Sequence, residues 1–266
     1  MLDVKKIMNL KGKRKLTMLT AYSYFQARML EEAGIDIILV GDSLGNVMLG
    51  YDNTLPVVME EMKIAVSAVR RGAPNTFVVA DMPFLSYQTS LEKAVENAGS
   101  FLKIGANAVK LEGGAEVAST VDRLVSLGIP VMGHVGLTPQ YVNAIGGYRV
   151  QGKDQPSRER LIRSSEELFR SGIFSLVLEL VVEEVSQQIT EKLPVPTIGI
   201  GAGRFCDGQV LVLHDMLGVN TEFTPKFVKR FADLRSEVVH AVSRYVEEVR
   251  AGSFPAEENV FKKEEI

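Results

Sequence analysis

Five aliphatic runs of this chain carry charged or titratable residues toward one end: Asp42-Ser43 in DIILVGDS, Asp81 in TFVVADMPF, Lys110 and Glu112 in NAVKLEGG, His134 in PVMGHVGL, and Glu179 in FSLVLELV. Carboxylates gathered at one place repel each other and lose hydration, and a hard divalent cation bound through oxygen offsets both costs. With no cysteine or paired histidine nearby, zinc is a poor candidate and Mg²⁺ the better one. Mg²⁺ keeps open positions, two of which a chelating 2-oxo acid would fill. The metal would then polarise the keto oxygen and acidify the adjacent C–H, favouring an enolate. Lys110 would add positive charge beside that enolate. Glu179, on a non-adjacent run, would face it as a general base.

Each residue has a plainer reading. Asp42 with Ser43 caps the following segment, Asp81 fixes the turn into Met82-Pro83, Lys110 and Glu112 form an ion pair without metal, His134 is a hydrogen-bonded core histidine, and Glu179 is an ion-pair partner. All of these at one end of one fold would require several unrelated coincidences.

The residues meet only if the runs lie side by side. Seven short apolar runs (15–22, 36–43, 76–84, 107–114, 130–137, 174–181 and 196–203) and a weaker eighth (209–217) alternate with helical patterns at 24–34, 58–72, 90–104, 116–127, 157–171 and 183–192. Continuous apolar runs suit parallel strands buried on both faces. Ser90 and Ser157 mark helix starts, and Gly34, Gly72, Gly105, Gly128 and Gly172 mark helix ends. The repeat predicts a (β/α)8 TIM barrel, in one domain spanning 1–266 with a short N-terminal extension and a C-terminal helix (226–250) and charged tail, KKEEI, that frays or packs on a neighbouring subunit. An open doubly wound sheet is the alternative, but no G-x-G-x-x-G turn follows the first runs. Strand alternation places Lys110 and Glu112 on one face and pairs Val40 with Asp42, Val79 with Asp81 and Val177 with Glu179, all toward the barrel mouth. The connection 138–156 has the length of a lid or binding loop. The glycine-rich 199–209 stretch is a weak phosphate-loop signal, and Cys206 reads as structural.

Thirty basic residues against 33 acidic ones leave a charge of −3, so no cationic excess draws nucleic acid or anionic lipid. The lone cysteine excludes an intrachain disulfide framework. The start has no continuous apolar h-region, and no run approaches the roughly 20 residues of a membrane span, so a reduced, cytoplasmic setting is expected.

The segments LTAYSYFQARMLEEAGID, VGDSLGNVMLGYDNTLPV, ADMPFLSY, AVKLEGG, PVMGHVGLTPQ, GGYRVQGK and GIGAGRFCDGQVLVLHDMLG, in order from about residue 16 to 218, resemble ketopantoate hydroxymethyltransferase (3-methyl-2-oxobutanoate hydroxymethyltransferase). The resemblance implies a barrel of the phosphoenolpyruvate/pyruvate-binding superfamily. It implies hydroxymethyl transfer from 5,10-methylenetetrahydrofolate to 3-methyl-2-oxobutanoate (α-ketoisovalerate), giving 2-dehydropantoate for pantothenate and coenzyme A. Mg²⁺ dependence, a cytoplasmic location and a homodecamer belong to the same implication. Carried over by motif, Asp42, Asp81 and Glu112 match metal ligands; Asp42, Ser43, Asp81 and Lys110 match 2-oxo-acid contacts; Glu179 matches the proton acceptor; and His134 matches a position near the site. After the glutamate the family usually reads Cys or Gly, Val, Pro, where this chain has Leu180-Val181-Val182.

Overall fold

In the computed structural model, which describes residues 1–147, 149–220 and 224–262, eight parallel strands close into a barrel in sequence order. They are β1 (Leu16–Thr20), β2 (Ile37–Val40), β3 (Phe77–Asp81), β4 (Ala108–Glu112), β5 (Val131–Gly136), β6 (Ser175–Glu179), β7 (Thr197–Ile200) and β8 (Gly208–Leu211). β8 pairs back onto β1 with Leu16 opposite Gly208, which removes both sheet edges. Tyr148 of GGYRVQGK and the end of the KKEEI tail lie outside the described residues. The chain divides into two units, Met1–Leu213 and His214–Ile266.

The first unit holds the barrel. Its interior is filled by Leu16, Met18, Ile37, Leu39, Phe77, Val79, Ala108, Met132, Val177, Ile198 and Val210, the inward set of a period-2 pattern. Phe77 and Phe174 meet edge to face at 5.8 Å. Ile7, from the helix Val4–Asn9, is fully buried against the same cluster. It meets residues at the strand starts, so the N-terminal extension closes the barrel end opposite the mouth. Alternation holds for β3, β4 and β6 but not for β2, where Ile37 and Leu39 face inward instead of Val40. The strand ends at Val40, and Asp42 reaches the mouth through the turn that follows.

Helices Tyr24–Glu32, Met59–Gly72, Leu91–Lys103, Ala118–Ser126, Gln155–Arg170 and Glu183–Lys192 occupy the expected intervals. Ser90 caps its helix by accepting from the Lys93 amide. Ser157 does not cap: Asp154 does, accepting from Ser157 N at 2.8 Å, and Pro156 falls in the first turn, where its missing N–H is harmless. Gly34, Gly105, Gly128 and Gly172 take the left-handed conformation that ends a helix, whereas Gly72 is the last helical residue and does not. Gly72 serves close approach: a Cβ there would lie 2.2 Å from the Tyr24 carbonyl oxygen. Residues 201–207 link β7 to β8 with no intervening helix.

In the second unit the long helix runs Leu234–Ala251, shorter than the expected 226–250. Its start is set by Asp233, whose carboxylate accepts from Ser236 N, and its end by Gly252 at φ 72°. Before it the backbone turns, with Val228 N donating to Pro225 O. Val238, Val239, Val242, Tyr245 and Val249 are exposed along this helix.

A Gly72→Ala substitution is expected to force the helices Tyr24–Glu32 and Met59–Gly72 apart and cost about 1–3 kcal/mol, read as a lower urea midpoint.

Candidate active site

Strand register builds the site. Asp81 lies opposite Lys110, Glu112 opposite His134, and Gly136 opposite Glu179, so four neighbouring strands present their polar residues as one arc at the C-terminal end. Asp42 joins from the turn after β2, its amide donating to Asp81 Oδ2 at 3.3 Å. One carboxylate oxygen from each of Asp42, Asp81 and Glu112 can be chosen such that all three lie within 4.8 Å of one another. These three residues, Lys110 and His134 are each at most 4% exposed.

Lys110 Nζ stands 2.9 Å from Asp81 Oδ1, 3.7 Å from Glu112 Oε1 and 3.1 Å from His134 Nδ1. His134 Nδ1 is 3.6 Å from Glu112, and its Nε2 is 3.2 Å from Glu179 Oε2. His134 thus bridges the carboxylate cluster and Glu179. The Glu179 side chain is 17% exposed, against 1% for Glu112, so among the acidic groups of the arc it is the one open to the mouth. Leu180, which follows it, is held at φ 47°, a left-handed conformation uncommon for a residue with a branched side chain. Its carbonyl accepts from Gln151 N at 2.7 Å, tying the long connection to the end of β6. Ser43, half-buried, shares a 2.8 Å hydrogen bond with the Tyr22 hydroxyl.

The plainer readings of Asp42 and Asp81 do not match these contacts. The Asp42 carboxylate takes a bond from Gln140 rather than capping a helix, and that of Asp81 meets Lys110 and the Asp42 amide across strands rather than its own turn.

Charge balance is strained. Burial, then Asp81 and Glu112, push the Asp42 carboxyl well above its usual range. Burial also raises Asp81, against the pull of Lys110. Glu112 resists its own burial and is held low by His134, Lys110 and the Gln140 amide. Burial opposes the Lys110 charge, but Asp81, Glu112 and Asp42 outweigh it. Burial and Lys110 likewise oppose charge on His134, yet Glu112 and Glu179 raise it to about 9. Lys110 by itself does not neutralise three buried carboxylates, and their mutual repulsion drives the Asp42 carboxyl upward. An all-oxygen donor set whose buried carboxylates repel one another fits a hard divalent cation.

Two residues carry this arrangement without having been singled out for chemistry in the sequence. Gln140 donates from Nε2 to Asp42 Oδ2 and to Met82 O, both at 2.9 Å, and from its backbone to Glu112 Oε2 at 3.0 Å. It therefore holds two of the three clustered carboxylates. The buried Tyr87 hydroxyl lies 2.8 Å from the Glu112 carbonyl and 2.9 Å from Gln140 Oε1. The signal for Gln140 was its place in a long connection directly after β5; nothing in ADMPFLSY marks Tyr87.

The glycine-rich stretch and Cys206 belong elsewhere. A Cβ at Gly203 would lie 2.4 Å from Glu183 Cγ and one at Gly208 2.6 Å from the Leu16 carbonyl oxygen, so close packing accounts for both glycines. Cys206 is fully buried, and burial raises its thiol pKa.

Replacing Gln140 by Ala is expected to weaken divalent-cation binding about 10–100-fold, as loss of a group that orients metal ligands does, measured by calorimetry. Because the Asp42 pKa is raised in the metal-free protein, cation binding should expel protons and weaken as pH falls. Titrations in buffers of different ionisation enthalpy check this; a buffer-independent heat would contradict it.

The model of the family ketopantoate hydroxymethyltransferase matches residues 1–257. The chain is 69% identical over 261 residues to the 3-methyl-2-oxobutanoate hydroxymethyltransferase of Kosmotoga olearia, covering 98% of each chain. It is 64% identical to that of Thermotoga neapolitana, covering 98% of this chain and 96% of the relative. Among solved structures it is similar to a phosphonopyruvate hydrolase with oxalate and Mg²⁺, at TM-score 0.64 and 12% identity over 100% of this chain and 93% of the other, a likeness of fold. On the full-length match and this identity, the chain belongs to the ketopantoate hydroxymethyltransferase family.

Proposed function

We propose that this chain transfers a hydroxymethyl group from 5,10-methylenetetrahydrofolate to 3-methyl-2-oxobutanoate. With water, the products are 2-dehydropantoate and tetrahydrofolate. The observation that carries this reading is the opposition of two halves of one site: a buried cluster of Asp42, Asp81 and Glu112 beside Lys110, and an accessible Glu179 across His134. The names of the close relatives support the same transfer.

Asp42, Asp81 and Glu112 would hold Mg²⁺, directly or through water. The bound ion would polarise the 2-oxo group and acidify the neighbouring C–H. Asp42, Ser43, Asp81 and Lys110 line the seat of the keto acid. Glu179 takes the proton from C3. Lys110, kept charged by its carboxylate neighbours, stabilises the enolate oxygen. His134 orients the Glu179 carboxylate, and its raised pKa keeps it cationic at neutral pH in the metal-free protein. A carbon–carbon bond then forms between C3 and the one-carbon unit, the carrier nitrogen leaves, and water supplies the hydroxyl. The product serves pantothenate and coenzyme A synthesis in the cytoplasm. The exposed apolar residues of Leu234–Ala251 support assembly with further copies, and the family resemblance points to a homodecamer.

Product is expected by mass spectrometry when the keto acid, methylenetetrahydrofolate and Mg²⁺ are supplied; turnover of phosphonopyruvate in its place would overturn the reading. Glu179→Gln should lower kcat by about 10²–10⁴-fold while keto-acid binding, measured separately, is retained. Asp81→Ala should abolish saturable metal binding; an unaltered titration would remove Asp81 from the ligand set.

A further inference from the structure

A cavity of about 650 Å³ opens beside the site, between the ends of β4 and β5, Ile145 and residues 149–164. Its inner wall includes Gly113, the residue after Glu112, and Gly136, which pairs with Glu179. Its lining carries three cations, Arg149, Lys153 and Arg160, all exposed. Among the described residues none of the three has an ion-pair partner within 4.0 Å. The two acidic lining residues are already engaged: Asp154 accepts from Ser157 N and Glu116 from Gly114 N, each at 2.8 Å. Three cations against two carboxylates leave the lining with a net positive charge, and Ile145, Val150 and Leu161 supply apolar wall between its polar groups. The segment bearing Arg149 and Lys153 is pinned beside the base by Gln151, which bonds to Leu180 O and to Val182 N.

A five-carbon keto acid is much smaller than this volume, and Asp42, Asp81, Lys110 and Glu112, which would hold it, are not among the residues that line it. A second reactant with a flat ring system and a tail ending in carboxylates would fill the volume and meet the three cations. Resting on the function proposed above, we infer that this cavity seats the one-carbon carrier. Its reactive ring end faces Glu112 and Glu179, and its glutamate tail is held by Arg149, Lys153 and Arg160. The lysine and arginines act on binding of the carrier and not on the chemical step, so their removal separates the two substrates kinetically.

The test is the Lys153→Glu/Arg160→Glu double variant, both positions being exposed, where substitutions generally change stability little. Tetrahydrofolate triglutamate should bind the wild type and bind the variant at least about tenfold more weakly, the loss expected from two exposed charge contacts turned repulsive. The KM for the keto acid should stay within about twofold, and the defect should shrink for a tetrahydropterin lacking the glutamate tail. Unchanged carrier affinity in the variant, no carrier binding to the wild type, or an equal loss for the tail-less pterin would each overturn the subsite. Carrier binding that depends on these cations, with no hydroxymethylated product from the keto acid, would instead overturn the proposed reaction and leave the subsite standing.

Discussion

Three carboxylates buried around one lysine are the constraint on which the rest of the structure depends. Asp42, Asp81 and Glu112 are each at most 4% exposed, and nothing but Lys110 and His134 opposes their charge directly. Taking such groups out of water is costly unless charge and hydrogen bonds compensate. The fold supplies part of that compensation through fixed donors: the Asp42 amide to Asp81, and the Gln140 side chain and backbone to Asp42 and Glu112. The remaining imbalance suits a divalent cation, which makes the cluster a preorganised site and not a stabilising device.

The opposite end of the barrel shows what charge does when stability alone is served. Arg14 grips Asp36 through two nitrogens at 2.7 and 2.8 Å, and Asp36 also accepts from Thr17 N and Oγ1. Asp207 binds Lys11 and the Thr197 amide. Each of these two acids has a cation of its own and a backbone donor. At the mouth three acids share Lys110 and His134. The difference between the two ends is the physical signature of function in this barrel.

Within the mouth, accessibility divides the labour. The three clustered acids and Lys110 are sealed, which strengthens each electrostatic contact. Glu179 is partly open and sits where β6 ends in a left-handed residue, Leu180. Such a conformation persists only when its surroundings hold it, here by the Ile200 carbonyl on one side and the Gln151 amide on the other. The same bonds anchor the segment that walls the neighbouring cavity, so the end of β6 and that wall are tied together through backbone hydrogen bonds.

Much of this was legible along the chain. Aliphatic runs of strand length, separated by amphipathic stretches, announced a closed parallel barrel, because only strands covered on both faces tolerate such runs. Polar residues at the ends of those runs then named Asp81, Lys110, Glu112, His134 and Glu179 as neighbours, since period-2 alternation and barrel closure suffice to bring them together. Other details were decided in three dimensions. Alternation misplaced Val40, because β2 stops there and a turn, not the strand, aims Asp42. Ser157 gave way to Asp154 as a cap, because the Asp154 carboxylate reaches the Ser157 amide and Pro156, with no N–H to leave unpaired, fits the first turn between them. Gly72 proved to be a point of contact between helices and not a helix end. Gln140 and Tyr87 were silent for the same reason: a neutral side chain acquires its meaning from the acceptors around it. Those acceptors, Asp42, Met82 O and the Glu112 carbonyl, come from distant segments that only tertiary packing assembles.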